Sequence, residues 1–270
     1  MKVRSRSSTD PLRETRYEDA VRQFLGYCPE WSSLLQAWHA DSRYRPEVVP
    51  FVEGFRATVL YTLTPEDVQA VCRKTEHALS NVKRQAAEAV RPAVNWNPAF
   101  ALEHALHSAA EGLKQLPTFQ EFREYCNTDS AGKRMLGNPS KALRARLVAS
   151  GLPNTQAKDA IRWRIGNAYL SFVREAYLIA VLRCDLDLDV QYHPLADVLF
   201  RTDAWVGSVR VLMHVRNAEF REGSAGRKPL LTCSGMKSIS FELPKPHAFG
   251  VVHLPDRQAI AGKWREESSS

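Results

Sequence analysis

The sequence predicts an α+β fold, with a mostly helical N-terminal two thirds packed against a small mixed or antiparallel C-terminal β-sheet. Three observations predict it. Helix-start signals recur through the first half: Asp10-Pro11, Thr64-Pro65-Glu66-Asp67, Asn97-Pro98 and Thr118 each place a capping side chain just before a helix-forming run. From Asn154 to Arg183 the apolar residues Ile161, Ile165, Ala168, Phe172 and Ile179 recur at three- and four-residue steps with no proline, which describes one long helix. After Arg183 the composition turns to β-branched and aromatic residues in short alternating runs separated by Gly- and Pro-rich segments.

Taken in order, residues 1–9 are a polar arm expected to be flexible, and residues 10–126 a helical region. The first helix is expected from Asp10-Pro11 to about Tyr27, with Tyr17, Val21, Phe24 and Leu25 facing inward. A second is expected over Trp31–Ala40, a third after Pro46, and a fourth from Thr64 to about Val90, ending before Pro92. Asn97-Pro98 opens another that ends near Leu116-Pro117, and Thr118 caps a short one through Tyr125. Residues 127–139, rich in Asn, Ser, Gly and Lys, read as a connecting loop. Residues 140–264 carry two basic helices, Ser140–Ser150 and the long one, followed by the sheet, and 265–270 form a polar tail. Strands are expected at Ala196–Trp205, Val209–Val215, Ser238–Leu243 and Phe249–Leu254.

The chain has 270 residues, 44% of them hydrophobic and 25% charged, enough to bury a large core. Its net charge of +7 is concentrated: between Gly132 and Arg183 ten Lys and Arg face only Asp159 and Glu175. A local surplus of this kind points to a polyanion, DNA or RNA, contacted by Lys133, Arg134, Lys141, Arg144, Arg146, Lys158, Arg162 and Arg164. The five cysteines are scattered with no CxxC spacing, which suggests reduced thiols and a cytoplasmic setting. The basic N-terminus lacks an apolar core of a secretion signal, and no apolar run reads as a membrane span, so no membrane partner is expected.

Chemistry is expected where the long helix meets the sheet. Glu175 lies on the apolar stripe of the helix, and a carboxylate there needs a partner, a proton or a metal. A tight turn at Gly207-Ser208 would pair Val206 with Val209, Asp203 with Leu212, Arg201 with His214 and Leu199 with Arg216. That register places Asp197, Arg201, Asp203, His214 and Arg216 on one sheet face, near Glu175.

A helix acid, a strand Asp, and a hairpin to a strand ending in acid-x-Lys together resemble the PD-(D/E)XK core shared by restriction endonucleases and TnsA-like transposase subunits. Residues 155–220 carry the resemblance: Glu175 matches the helix acid, Asp203 (or Asp197) the strand Asp, and His214-Val215-Arg216 the acid-x-Lys motif. The resemblance implies a metal-dependent nuclease in which Glu175, Asp203 and His214 hold Mg²⁺ or Mn²⁺ and Arg216 holds the phosphate. Two positions depart from the family pattern. Imidazole at His214 suits Mn²⁺ or a base role better than Mg²⁺, and Arg216 cannot readily give up a proton as Lys can.

Weaker signals lie elsewhere. The basic segment 223–229, with Arg227 and Lys228, could touch a phosphate backbone. His104, His107 and Glu111 share a helical spacing that can bind metal but that more often marks packing. His247 and His253 flank a strand, and Trp163, Trp205 and Trp264 could stack on bases or anchor a core.

These readings favour a nucleic-acid-binding protein with a restriction-endonuclease-like core, acting in defence or mobile-element processing. The alternative is a non-catalytic adaptor of a larger nucleoprotein assembly that docks protein through its helical N-terminal region. A third is a small-molecule enzyme with a His/Asp/Glu site between helices and sheet.

Overall fold

The structure is a computed structural model, and it describes residues 15–80, 87–214, 235–242 and 247–268. The fold is α+β, with the helices preceding a small C-terminal sheet. Everything is arranged around one 33-residue helix. Helices α1 (Tyr17–Tyr27), α2 (Ser32–Ala40), α3 (Val48–Gly54), α4 (Val59–Thr62) and α5 (Pro65–Lys74) come first. They are followed by α6 (Ala87–Val94), α7 (Leu102–Leu113), α8 (Phe119–Thr128), α9 (Ser130–Gly132) and α10 (Asn138–Ala149). The long helix α11 (Asn154–Leu186) packs against α4, α5, α6, α7, α10 and α13 (Arg257–Ser268). Its C-terminal half, from Phe172 to Leu182, is buried at every position except Arg174. By length and composition α11 could also cross a bilayer, against the expectation that no segment would; 67% of its most apolar stretch is buried within the protein.

The capping signals act as read. Thr64 and Asp67, and Thr118 and Glu121, close reciprocal capping boxes at the starts of α5 and α8. Other boundaries yield to tertiary contacts. Helix α5 was expected to reach Val90 but stops at Lys74, because Thr75 leaves the helix and its hydroxyl accepts a hydrogen bond from the Phe119 N–H at 2.8 Å. Helix α6 runs through Pro92 instead of ending before it, which leaves the carbonyl four residues earlier, at Glu88, without its helical N–H donor. The Asp10-Pro11 start and the 1–9 arm fall outside the described residues.

The expected loop at 127–139 is helical instead. Asp129 caps α9 through the Ala131 and Gly132 N–H groups, and a π-helical turn at Lys133–Gly137 carries the chain directly into α10. Its glycines serve close packing: a Cβ on Gly137 would stand 2.1 Å from the Cys126 carbonyl oxygen. The polar tail is likewise mostly helical, since α13 extends to Ser268.

The three-stranded sheet has the order β1 (Ala204–Val206), β2 (Val209–His214), β3 (Lys237–Glu242), with β1 antiparallel and β3 parallel to β2. The hairpin turns at Gly207-Ser208, Gly207 having φ 56°, and the Val206–Val209 register is the expected one. The expected strand Ala196–Trp205 is a strand only at its end. Residues Pro194–Phe200 form helix α12, started by Pro194 at its first position and by His193 Nδ1 accepting the Leu195 N–H at 3.2 Å. Helix capping here overrides the β-propensity of Val198-Leu199-Phe200. The expected strand Phe249–Leu254 is a hairpin of β4 (His247–Phe249) and β5 (Val252–Leu254) turning at Gly250.

An aromatic stack ties the first helices to the sheet. Phe24 and Trp31 each lie 4.6 Å from Phe200, and Trp205 meets Phe24 edge-on at 5.0 Å. This packing anchors α12 and β1 against the first helices. Cys28, fully buried, is disulfide-bonded, where the scattered cysteines suggested only reduced thiols.

Candidate functional site

The junction of α7, α11, α12 and β1 gathers four carboxylates. Glu175, on α11, is 6% exposed, and its Oε1 is buried with no hydrogen-bond partner. Around it stand Glu103 of α7, Asp197 of α12 and Asp203, the residue before β1. These three are half-buried, so the cluster borders solvent on one side.

The electrostatics follow from burial and like charge. Burial, reinforced by repulsion from Glu103, Asp203 and Asp197, pushes the Glu175 carboxyl well above the usual range. Burial and Asp197 raise Asp203 to about 7, although the Met213 N–H donates to its Oδ2. Glu103 is raised by burial too, and hydrogen bonds from neighbouring groups, Tyr192 and Asp197 among them, oppose the shift. Arg201 stands beside Asp197, its guanidinium weakened as a base by burial. Carboxyls that interact this strongly cannot all be ionised at neutral pH without a compensating cation, so the cation-free cluster retains protons.

Of the expected site residues, Glu175 and Asp203 therefore lie near enough for the Asp203 charge to bear on Glu175. The Asp197 charge bears on both as well, from a helix and not from the sheet face assigned to it, and Arg201 ends that helix in a left-handed conformation instead of lying on a strand. His214 closes β2, with its backbone opposite Glu242 of β3. Arg216, Arg227 and Lys228 lie outside the described residues. Carboxylate oxygens are the donor type that Mg²⁺ or Mn²⁺ takes, but these side chains do not converge on a common position that would hold an ion. Among the described residues, no group of three or more His, Cys, Asp and Glu side chains stands at positions that could hold an ion.

The basic residues divide into two groups. Arg134, Lys141, Arg146 and Lys158 are exposed, and Lys133 and Arg144 partly so. Arg162 and Arg164 turn inward. Arg162 donates to the carbonyl oxygens of His77 (2.6 Å) and Ala78 (3.4 Å), and Arg164 is partly buried, with Nε lacking a partner. Arg162 is thus tied to the 77–78 segment while keeping about a third of its side chain exposed.

Other candidates resolve into packing. His104 and His107 are buried and held neutral, burial pushing each down to about 3. Glu111 leaves them to cap α4, accepting from the Thr58 and Val59 N–H groups at 2.9 Å each. Trp205 and Trp264 are core residues. His247 pairs with Asp256 at 2.8 Å on the surface, while the backbone oxygen of His253 accepts from Arg174.

Sequence reasoning missed Glu103 and its partner Tyr192, whose hydroxyl donates to Glu103 Oε1 at 3.3 Å and also contacts His107 Nε2. The signal was present in α7: Glu103 is an acid flanked by Leu102, Ala105, Leu106, Ala109 and Ala110, and His107 follows it by one turn on the same face. Comparison of the chain with protein-family models, curated proteins and solved structures finds no match in any of the three.

Proposed function

We propose that the protein binds nucleic acid through the exposed basic end of α10 and α11 and acts on the phosphodiester backbone at the Glu175–Asp197–Asp203 centre. One observation carries this reading: Glu175, buried with an unpartnered oxygen, lies within electrostatic reach of two aspartates that come from 22 and 28 residues further along the chain. A buried carboxyl forced to stay protonated is costly to keep, and such groups are tolerated where they perform chemistry.

As they stand, Glu175, Asp197 and Asp203 form no ion-holding group, so binding of Mg²⁺ or Mn²⁺ would require their carboxylates to draw together. Such an ion would supply charge neutralisation at a scissile phosphate and activation of water. In the cation-free protein, Asp203, with a carboxyl raised to about 7, can exchange a proton near neutrality. The exposed side chains Lys141, Arg146 and Lys158 attract a polyanion. Lys158 lies 17 residues from Glu175 on one helix, roughly 25 Å along its axis, so a bound duplex would span both regions.

The PD-(D/E)XK resemblance supports this reading through Glu175 and Asp203, and weakens it at His214 and Arg216. Those two substitutions favour the second reading, a non-catalytic adaptor that retains nucleic-acid binding. Cleavage of plasmid and oligonucleotides with Mg²⁺ or Mn²⁺, run beside binding at two salt concentrations, separates them. Metal-dependent cutting lost in Asp203→Asn establishes the first, and salt-sensitive binding without cutting establishes the second.

A further inference from the structure

Arg210, on β2, is only 3% exposed, and its Nε is buried with no hydrogen-bond partner. No carboxylate among the described residues forms an ion pair with it. Its compensation is aromatic: the guanidinium stands 5.4 Å from the centre of the Trp31 ring. A guanidinium does not give up its proton in proteins, so burial cannot neutralise it as it neutralises a carboxyl. A ring face attracts the cation but offers no acceptor in the plane of the fork, and a buried charge without one is costly. Trp31 is itself fixed, stacked on Phe200 at 4.6 Å and on Phe24 at 6.0 Å. The fork is thus held in place with its charge unmatched.

The sheet register supplies what lies beside it. Arg210 is directly opposite Ser238 of β3, and Ser240 follows two residues on, on the same face. Both serines are half-buried, and neither hydroxyl hydrogen-bonds to a described residue. Glu242, next on that face, bounds the row with the opposite charge. In the three-stranded sheet β3 is an outer strand, so the row is approached from its edge. A fork and two hydroxyls on one face match an anion. A carboxylate has two oxygens, which the fork alone would occupy, whereas a phosphate keeps further oxygens for the hydroxyls. A phosphate inside a continuing nucleic-acid backbone carries sugar on both sides and cannot enter a site this covered. A terminal phosphate can.

We infer that Arg210, Ser238 and Ser240 form a binding site for a terminal phosphate group, the fork taking two of its oxygens and the hydroxyls donating to the others. The site is separate from the carboxylate centre and from the basic end of α10 and α11, and rests on neither.

The test is titration of inorganic phosphate into the full-length protein, read by calorimetry, with thermal midpoints to establish that each variant folds. The wild type should bind phosphate in the millimolar range or tighter. Arg210→Met should abolish that binding, and Ser238→Ala with Ser240→Ala should weaken it at least tenfold. Should Arg210→Met fail to fold, the half-buried serine pair decides alone. Lys141→Ala, Arg146→Ala and Lys158→Ala together should leave phosphate binding unchanged; its loss there would move the anion to the basic surface and overturn the inference. No binding by the wild type, or equal binding by the wild type and the serine variant, would overturn it too. An oligonucleotide with and without a 5′-phosphate identifies the source. Preference for the phosphorylated form that disappears in the serine variant marks a nucleic-acid end, and no preference beside serine-dependent binding of inorganic phosphate marks a small phosphate compound.

Discussion

The two ends of α11 carry charge in opposite ways. From Asn154 to Lys158 the helix is mostly exposed, and its neighbour α10 displays Lys141 and Arg146 to solvent. From Phe172 to Leu182 it is buried, yet contains Glu175 among three other carboxylates. Charge at the first end is hydrated and costs almost nothing, so it says little about function beyond an affinity for polyanions. Charge at the second end opposes folding. The contrast teaches that the most informative ionisable residue in the chain is the one the fold has least energetic reason to keep.

Activity should break most sharply at the buried end. Asp203→Asn and Glu175→Gln are each expected to lower metal-dependent cleavage about 100-fold or more while leaving nucleic-acid affinity within a few-fold. The same Glu175→Gln variant should stabilise the cation-free protein at pH 8 by on the order of 1–3 kcal/mol, a rise of several degrees in Tm, measured by calorimetry. A fall in Tm instead would mean that the Glu175 carboxylate is ionised and paired in the folded protein.

The pH dependence has a definite sign. Glu175, Glu103 and Asp203 all have folded-state pKa values above the ordinary carboxyl range. Between that range and the raised values the folded chain holds more protons than the unfolded one, so stability falls as pH rises. For the cation-free protein Tm should therefore decline from about pH 4 upward, with the Asp203 share of that decline complete once pH has passed through about 7. Added Mn²⁺ should flatten the decline, and a Tm that rises over this window would contradict the cluster's electrostatics.

Packing gives a smaller effect. Gly137→Ala forces a Cβ against the Cys126 carbonyl and should cost about 2 kcal/mol without changing the metal dependence of any activity. At the exposed end, replacing Lys141, Arg146 and Lys158 together with Ala should leave Tm nearly unchanged. It should weaken nucleic-acid binding and reduce the slope of log affinity against log salt, by about 0.9 for each phosphate that is no longer neutralised. An unchanged slope would move the polyanion surface elsewhere.

Much of this was legible before the structure. Helix caps at Thr64 and Thr118 are local, reciprocal hydrogen bonds, and local signals survive folding. The hairpin register was set by the Gly207-Ser208 turn, and the periodicity of α11 identified Glu175 as misplaced in an apolar stripe. What failed depended on groups distant in sequence. The glycines at 132 and 137 looked like a loop because their reason, close approach to Tyr125 and Cys126, is tertiary. The carbonyl partners of Arg162, at His77 and Ala78, are likewise supplied by a distant segment. Asp197 reached Glu175 by an unexpected route, through a helix where a strand was foreseen, and Glu103 went unread because its partner Tyr192 lies 89 residues away.

The most direct test is cleavage of plasmid DNA by wild type and Asp203→Asn, each with Mn²⁺, with Mg²⁺ and with neither. Cutting by the wild type only with an ion present, and its loss in the variant despite an unchanged or higher Tm, is the result expected of a working carboxylate centre. Equal cutting by both proteins, or none by the wild type with either ion, would contradict it.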